Sequence, residues 1–362
     1  MEHFNPLLQG TETPHHFLTI GEIMLRLSPP DYEKIRMANN FSVSYGGSEA
    51  NIAISLANLG IDSSFFTVVP NNSLGKSAVR WMRSNDVHCS PVILSEISQT
   101  PTHRLGSYYL EMGYGIRPSK VTYDRKHSAM AEFDFKTVDL ASLFKSFDWL
   151  HLSGITPALS PSCADLVLDS LKTAQELGMT VSFDGNFRSS LWSWEEARDF
   201  CTKCLPYVNV LLGIEPYHLW KDDDDHSKGD WKDDIPLHPT LEQQDFVFRK
   251  FVERYPNIRT IARHVRYTHS GSENSLMAYM WHEGKTHESR LFRFNILDRV
   301  GGGDAFASGL LYGLMKNYTP LDALNFGVAN SALKHTMHGD GNITDNIDVI
   351  HRLMDADYDI KR

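Results

Sequence analysis

From residue 149 to residue 265 the chain repeats one pattern: a short apolar run, then a helical stretch. WLHLSGI (149–155) precedes an amphipathic pattern over 161–177, and TVSFDGN (180–186) precedes one over 194–204. VNVLLGI (208–214) leads through a polar loop to a third over 241–254, and RTIARHV (259–265) follows. Runs that are apolar on both faces need helices on both sides of their sheet. The pattern therefore predicts an α/β fold, a mainly parallel sheet sandwiched by helices. Ligands of such sheets bind at the carboxyl ends of the strands. Gly154, Asp184, Asn186 and Glu215 fall at those ends.

The first third reads differently. FLTIGEIMLRL (17–27) is a strong strand pattern. Segments 31–46 and 103–125 carry short, alternating, Tyr-rich strands: FSVSYG, GSYYLEM and KVTYD. They are too few for a core of their own. A small β-sheet lid over the ligand cleft suits them, and an added edge on the main sheet is the alternative. Residues 221–239, KDDDDHSKGDWKDDIPLHP, hold seven acids and three lysines without regular metal-ligand spacing, which predicts an acidic, solvated surface insertion.

Charge and composition narrow the partners. Lys and Arg number 35 against 45 Asp and Glu, a net charge of −10. That balance argues against nucleic acid or an anionic membrane as the main partner, and a small anionic substrate needs only a few local cations. No run approaches the roughly 18 apolar residues of a membrane span. MEHFNPLLQGTETPHH lacks the basic and apolar regions of a signal peptide. Four cysteines in 362 residues make no disulfide framework. A cytoplasmic protein is expected.

Residues 298–309 read DRVGGGDAFASG, after the strand-like LFRFNIL and before a helical pattern with Phe306, Leu310 and Leu314. Three consecutive glycines let backbone N–H groups converge at a helix start, which is an anion site. Asp304 follows at once. A helix-capping Asp after a flexible loop is the plainer account, but a cap needs one glycine at most. A carboxylate beside an anion hole suits phosphoryl transfer to a hydroxyl. Earlier, GGSEAN (46–51) opens a second helix, where the backbone can approach a ligand and Asn51 can bond sugar hydroxyls.

Together the two motifs resemble those of the ribokinase-like (PfkB-type) carbohydrate kinases, and the resemblance spans residues 17–355. It extends to the helix in DALNFGVANSALKHTMHGD (322–340). YYLEMGYGIRPSKVTYDR (108–125), HLSGITPAL (151–159) and FDGNFR (183–188) are similar to members that phosphorylate acidic keto sugars. The resemblance implies one kinase domain over residues 1–362, with ATP and Mg²⁺ as cofactors and an acidic sugar as substrate. It implies Asp304 as catalytic base and Gly301, Gly302 and Gly303 as the anion hole. Gly47, Asn51, Tyr109, Tyr123, Arg125, Ile155 and Asp340 would meet the sugar. Arg188, Arg266, His269, Ser270, Gly271 and Asn330 would meet the nucleotide, and Glu215 would act on the metal through water. Lid sheets of this kind often pair between subunits, so a homo-oligomer is expected.

The residues support the acidic substrate on their own account, because a carboxylate suits the planar fork of Arg125 beside Tyr123. Two departures stand out. LLGIEPYH has no Asn three residues before Glu215, and 262–275 retains only Gly271 of a Lys-x-Gly-x-x-Gly nucleotide loop. The rivals are a family kinase for fructose, ribose or a nucleoside, and a silent sugar-binding regulator, which would not need GGGD. PNNSLGKS (70–77) imitates a P-loop, but Pro70 replaces its first glycine and lacks the N–H. Cys201 and Cys204 sit inside a helical pattern and read as core packing.

Overall fold

The computed structural model describes residues 15–356 and Asp359. Residues 1–14 of the N-terminal stretch read above lie outside the described residues. In chain order the strands are β1 (His16–Ile20), β2 (Met24–Ser28), β3 (Ser42–Gly46), β4 (Asp62–Phe66), β5 (Val68–Pro70), β6 (Ile93–Ser95), β7 (Ser107–Glu111) and β8 (Lys120–Asp124). They continue with β9 (Trp149–Ser153), β10 (Thr180–Asp184), β11 (Val210–Leu212), β12 (Thr260–Thr268), β13 (Glu273–His282), β14 (Lys285–Glu288) and β15 (Phe292–Asn295).

The large sheet has nine strands in the order β14-β13-β12-β11-β10-β9-β1-β4, with β15 also on β13. From β4 to β12 every pairing is parallel, and β13, β14 and β15 add an antiparallel end. Side-chain alternation divides its core. Leu18, Leu150, Val181 and Leu211 face one buried cluster, which includes Leu166 and Leu171 of helix Pro161–Glu176 and Phe248 of helix Leu241–Arg254. Phe17, Trp149, Val210 and Leu212 face the other, with Phe306 and Leu310 of helix Gly302–Met315 and Phe326 of helix Pro320–Lys334. Both faces are therefore covered, as the doubly apolar runs require. Helices Trp194–Cys204 and Leu241–Arg254 start where the sequence patterns start, because Ser193 with Glu196 and Thr240 with Gln243 form capping boxes. Cys163, Cys201 and Cys204 are buried free thiols in the first cluster. Among the described residues no helix is long and apolar enough to cross a membrane.

The run 17–27 is not one strand. β1 ends at Ile20, and the chain leaves the large sheet through Gly21, Glu22 and Ile23 to enter a separate sheet as β2. Apolar continuity hides the break because Ile20, Ile23 and Met24 are all buried at the junction. The second sheet has the order β3-β2-β7-β8. It confirms a small separate sheet, although only Ser42–Gly46 of segment 31–46 is strand. The apparent P-loop is the turn after β5, where Asn72 caps the helix Ser73–Arg83.

The insertion is also only partly solvated. Asp222–Asp225 are half-buried or exposed, but Asp230 is fully buried. Asp230 accepts from Arg198 Nη2 at 2.8 Å and from the Leu219 backbone N–H at 2.7 Å. Lys232 is buried beside it, with Nζ 3.3 Å from Glu215 Oε2. A charge count over the segment cannot separate these inward residues from the run that precedes them.

Candidate active site

Two glycine-led helices meet at the carboxyl ends of the strands. Helix Gly302–Met315 begins after Gly301, whose φ of 81° is left-handed, a conformation that favours glycine. A Cβ on Gly301 would lie 1.8 Å from the Asp340 carbonyl oxygen, and one on Gly302 would lie 2.3 Å from the His335 ring. Gly303 has only His264 near that position, at 3.9 Å. So Gly301 and Gly302 answer to close packing, while Gly303 leaves its surroundings open. The first N–H groups of this helix have no partner within it.

Asp304 sits in that first turn and is 9% exposed. Ser48 Oγ donates to its Oδ1 at 2.7 Å, and Asn51 Nδ2 donates to its Oδ2 at 2.7 Å. Both donors lie in the first turn of helix Ser48–Asn58. Asn186, after β10, donates to Ser48 Oγ at 2.8 Å and extends the network. Burial pushes the Asp304 carboxyl above the usual carboxylate range, while the Asn51 and Ser48 hydrogen bonds and the Arg188 charge pull it down.

Two cavities lie at this helix start, one lined by Asp304 and the other by Gly303. Gly47, Asn51, Tyr123, Arg125, Ile155, Arg188, Gly301, Asp304 and Asp340 all line the first. Gly47 fits because a Cβ there would lie 2.0 Å from the Glu22 carbonyl oxygen. Ile155 lies between Ser153 and Thr156, whose hydroxyls donate to Glu49 Oε1 at 2.7 and 2.8 Å. Burial raises the Glu49 carboxyl.

Tyr109 is not among the residues that line this cavity, whereas its neighbour Tyr108 is. Side chains alternate along β7, so Tyr108 faces the cavity and donates its hydroxyl to Asp340, while Tyr109 meets Phe41 edge to face with ring centroids 6.1 Å apart. The YY doublet carries no signal for which tyrosine faces in. Asp340 also accepts from Arg26 Nη1, and Arg26 Nη2 reaches Asp298, so β2 of the small sheet is tied to Asp298, just before GGGD, and to Asp340. Arg125 has a resident partner that was not foreseen: its Nε donates to Glu22 Oε2 at 2.8 Å, and its Nη2 reaches the same oxygen. Glu22 was hidden inside the misread first strand.

The second cavity is lined by Asp184, Glu215, Arg263, His264, Gly303 and Phe306, among others. Burial pushes the Asp184 carboxyl to about 7, with the Asp304 charge adding to the effect. Glu215 reaches this cavity while paired with Lys232. Arg266 lies outside both cavities. Its guanidinium is pulled down to about 10 by burial and by the neighbouring charges of Arg299 and Arg188. Its Nε is buried without a hydrogen-bond partner.

His269, Ser270 and Gly271 form the β12–β13 hairpin turn and line neither cavity. His269 Nε2 lies 2.8 Å from Ser275 Oγ, Ser270 N–H donates to Glu273 O, and Gly271 N–H donates to Gly115 O. On the same strand it is Arg263 and His264, nearer the sheet centre, that reach the cavity. Asn330 is fully buried and donates to the Ala305 carbonyl at 2.7 Å. It fastens helix Pro320–Lys334 to helix Gly302–Met315 and faces no ligand space, because an Asn on an apolar helix reads alike as contact or as glue.

Acid–base, anion and hydroxyl-binding groups thus converge at one point. The profile of the pfkB family carbohydrate kinases matches residues 15–215 and 249–347. The chain is 32% identical over 325 residues to a 2-dehydro-3-deoxygalactonokinase of Haloferax volcanii, covering 89% of this chain and 92% of that one. It is 27% identical to a 2-dehydro-3-deoxygluconokinase of Bacillus subtilis, over 89% and 90%. A crystal structure of 2-dehydro-3-deoxygluconokinase from Thermotoga maritima superposes with a TM-score of 0.84 at 35% identity, over 94% of this chain and 99% of that one.

Proposed function

The chain belongs to the pfkB family of carbohydrate kinases, and from that premise we propose that it transfers the γ-phosphoryl group of ATP to the 6-hydroxyl of 2-keto-3-deoxygluconate, giving the 6-phosphate. The observation that carries this reading is the Asp304 carboxylate, both of whose oxygens are held by donors at the mouth of the glycine-led helix. In it, Asp304 accepts the proton of the attacking hydroxyl. The free N–H groups at the start of helix Gly302–Met315 take up charge on the transferring phosphoryl. Arg188 lines the first cavity beside Asp304, and the neighbouring Arg266 adds to the positive charge there, which suits a phosphate.

Among the described residues no cluster of three or more Asp, Glu, His or Cys could hold a metal ion. That donor set fits Mg²⁺, which binds through one or two carboxylates plus phosphates and water rather than in a protein cage. Glu215 and Asp184 are the carboxylates that would hold it, directly or through water. Held there, Mg²⁺ would supply positive charge that offsets the negative charge of the phosphates.

Arg125 supports the acidic sugar. Two of its five N–H groups serve Glu22, and the remainder are available to a substrate carboxylate. The same pair favours a second reading, because Glu22 cancels the Arg125 charge and a neutral wall also suits a neutral sugar. ADP release measured with 2-keto-3-deoxygluconate, fructose and ribose separates the two. The acidic sugar should give the highest kcat/KM, and a neutral sugar that matches it would replace this reading with the second. We also take the whole chain as one kinase unit acting in the cytoplasm, where ATP is supplied. We read it as a homo-oligomer, supported by Val43 and Tyr123, which the small sheet leaves exposed.

A further inference from the structure

Glu22 sits at the bend between the two sheets, 3% exposed, and lines the cavity that holds Asp304 and Arg125. Its two oxygens differ. Oε2 takes both Arg125 donors, while Oε1 is buried and has no partner. A buried acceptor left unpaired is costly. Neighbouring donors on this wall are committed elsewhere: Tyr108 and Arg26 to Asp340, Ser48 and Asn51 to Asp304. An ionised carboxylate only accepts, so a ligand carbonyl or carboxylate cannot complete it. A ligand hydroxyl can.

The position of that hydroxyl follows from the pairing. Arg125 is held by Glu22, so a substrate carboxylate on Arg125 ends close to Oε1. In the open-chain form of a 3-deoxy-2-keto sugar acid, C-2 carries a carbonyl and C-3 carries no oxygen. The nearest hydroxyl is therefore on C-4, the centre at which the gluconate and galactonate forms differ. We infer that Glu22 is a specificity-determining residue that accepts the C-4 hydroxyl of the sugar acid through Oε1 while positioning Arg125 through Oε2. This rests on the acidic-sugar reading above.

The test compares 2-keto-3-deoxygluconate with its 4-deoxy and 5-deoxy analogues, in the wild type and in Glu22→Gln. The glutamine keeps an oxygen for Arg125 but can turn an N–H₂ towards the sugar. A site built to bond a hydroxyl rejects the analogue lacking it, so the wild type should lose about 100-fold or more in kcat/KM on the 4-deoxy acid. In Glu22→Gln a charged acceptor is exchanged for a neutral donor, so that ratio should fall at least about tenfold, while the 5-deoxy ratio stays at its wild-type value. An unchanged 4-deoxy ratio in the variant overturns the inference. A wild type that accepts the 4-deoxy acid as well as the parent overturns it without any variant. Both outcomes leave the acidic-sugar reading standing. A wild type that ignores the sugar acids and phosphorylates fructose overturns both.

Discussion

Asn51 donates to Asp304 across 253 residues of sequence, at 2.7 Å. The two residues occupy the first turns of helices Ser48–Asn58 and Gly302–Met315. One helix start therefore holds the carboxylate that the other carries, and Ser48 holds its second oxygen. A carboxylate held at both oxygens is pre-oriented.

Asp304→Asn should lower kcat by roughly 10²–10⁴, the usual worth of a general base. The fold should persist, since the side-chain volume is nearly unchanged. ADP release and circular dichroism measure the two expectations together. A variant with native spectra and near-native turnover would remove Asp304 from the chemistry.

The pH profile should respond to Arg188. Its charge lowers the Asp304 carboxyl, against the burial that raises it. As the proposed base, Asp304 would work only when ionised, so activity should fall as pH drops through its pKa. Removing the positive charge in Arg188→Met should raise that pKa and move the acidic limb of kcat/KM to higher pH, whereas Arg188→Lys should move it less. Acidic limbs that coincide in all three enzymes would mean that the two groups do not communicate.

Much of this was legible before any coordinates. Strands β9 to β12 and their helices follow from doubly apolar runs and capping residues such as Ser193 and Thr240. Asp304, Asn51, Gly47 and Arg125 meet because backbone motifs place them. What stayed illegible depends on which way a side chain points. Tyr108 against Tyr109 is decided by strand register, and Asn330 by helix–helix contact. Glu22 reads as a strand residue because the break at Gly21 lies in unbroken apolar sequence, and Arg26, which is in β2, carries no local sign of which way it points. Their partners, Arg125, Asp298 and Asp340, are about 100 to 300 positions away, where no local pattern points.

The Glu22–Arg125 pair should be costly to break from one side. Both are nearly buried, so Arg125→Ala leaves an uncompensated carboxylate and should destabilise the protein by about 3–5 kcal/mol, while raising KM for the sugar acid. The double variant Glu22→Gln with Arg125→Met removes both charges and should recover a large part of that stability but none of the affinity. Urea denaturation of the three proteins reads the first effect, and initial rates read the second. Equal instability of single and double variants would show that lost packing, not the stranded charge, is responsible.

The insertion should divide into two halves of unequal weight. Asp222 pairs with Lys228 and Asp223 with Arg254 at exposed positions, where such pairs contribute about 0–1 kcal/mol each. Converting Asp222, Asp223, Asp224 and Asp225 to Asn should therefore change stability by less than about 2 kcal/mol. Asp230→Ala should cost about 3–5 kcal/mol, because it strands Arg198 and the buried Lys232. Since Lys232 also pairs with Glu215 at the second cavity, the same change should weaken ATP binding measured by calorimetry, and the quadruple change should not. If the acidic run proves as costly as Asp230, the segment is held by its overall charge rather than by one inward-facing ion cluster.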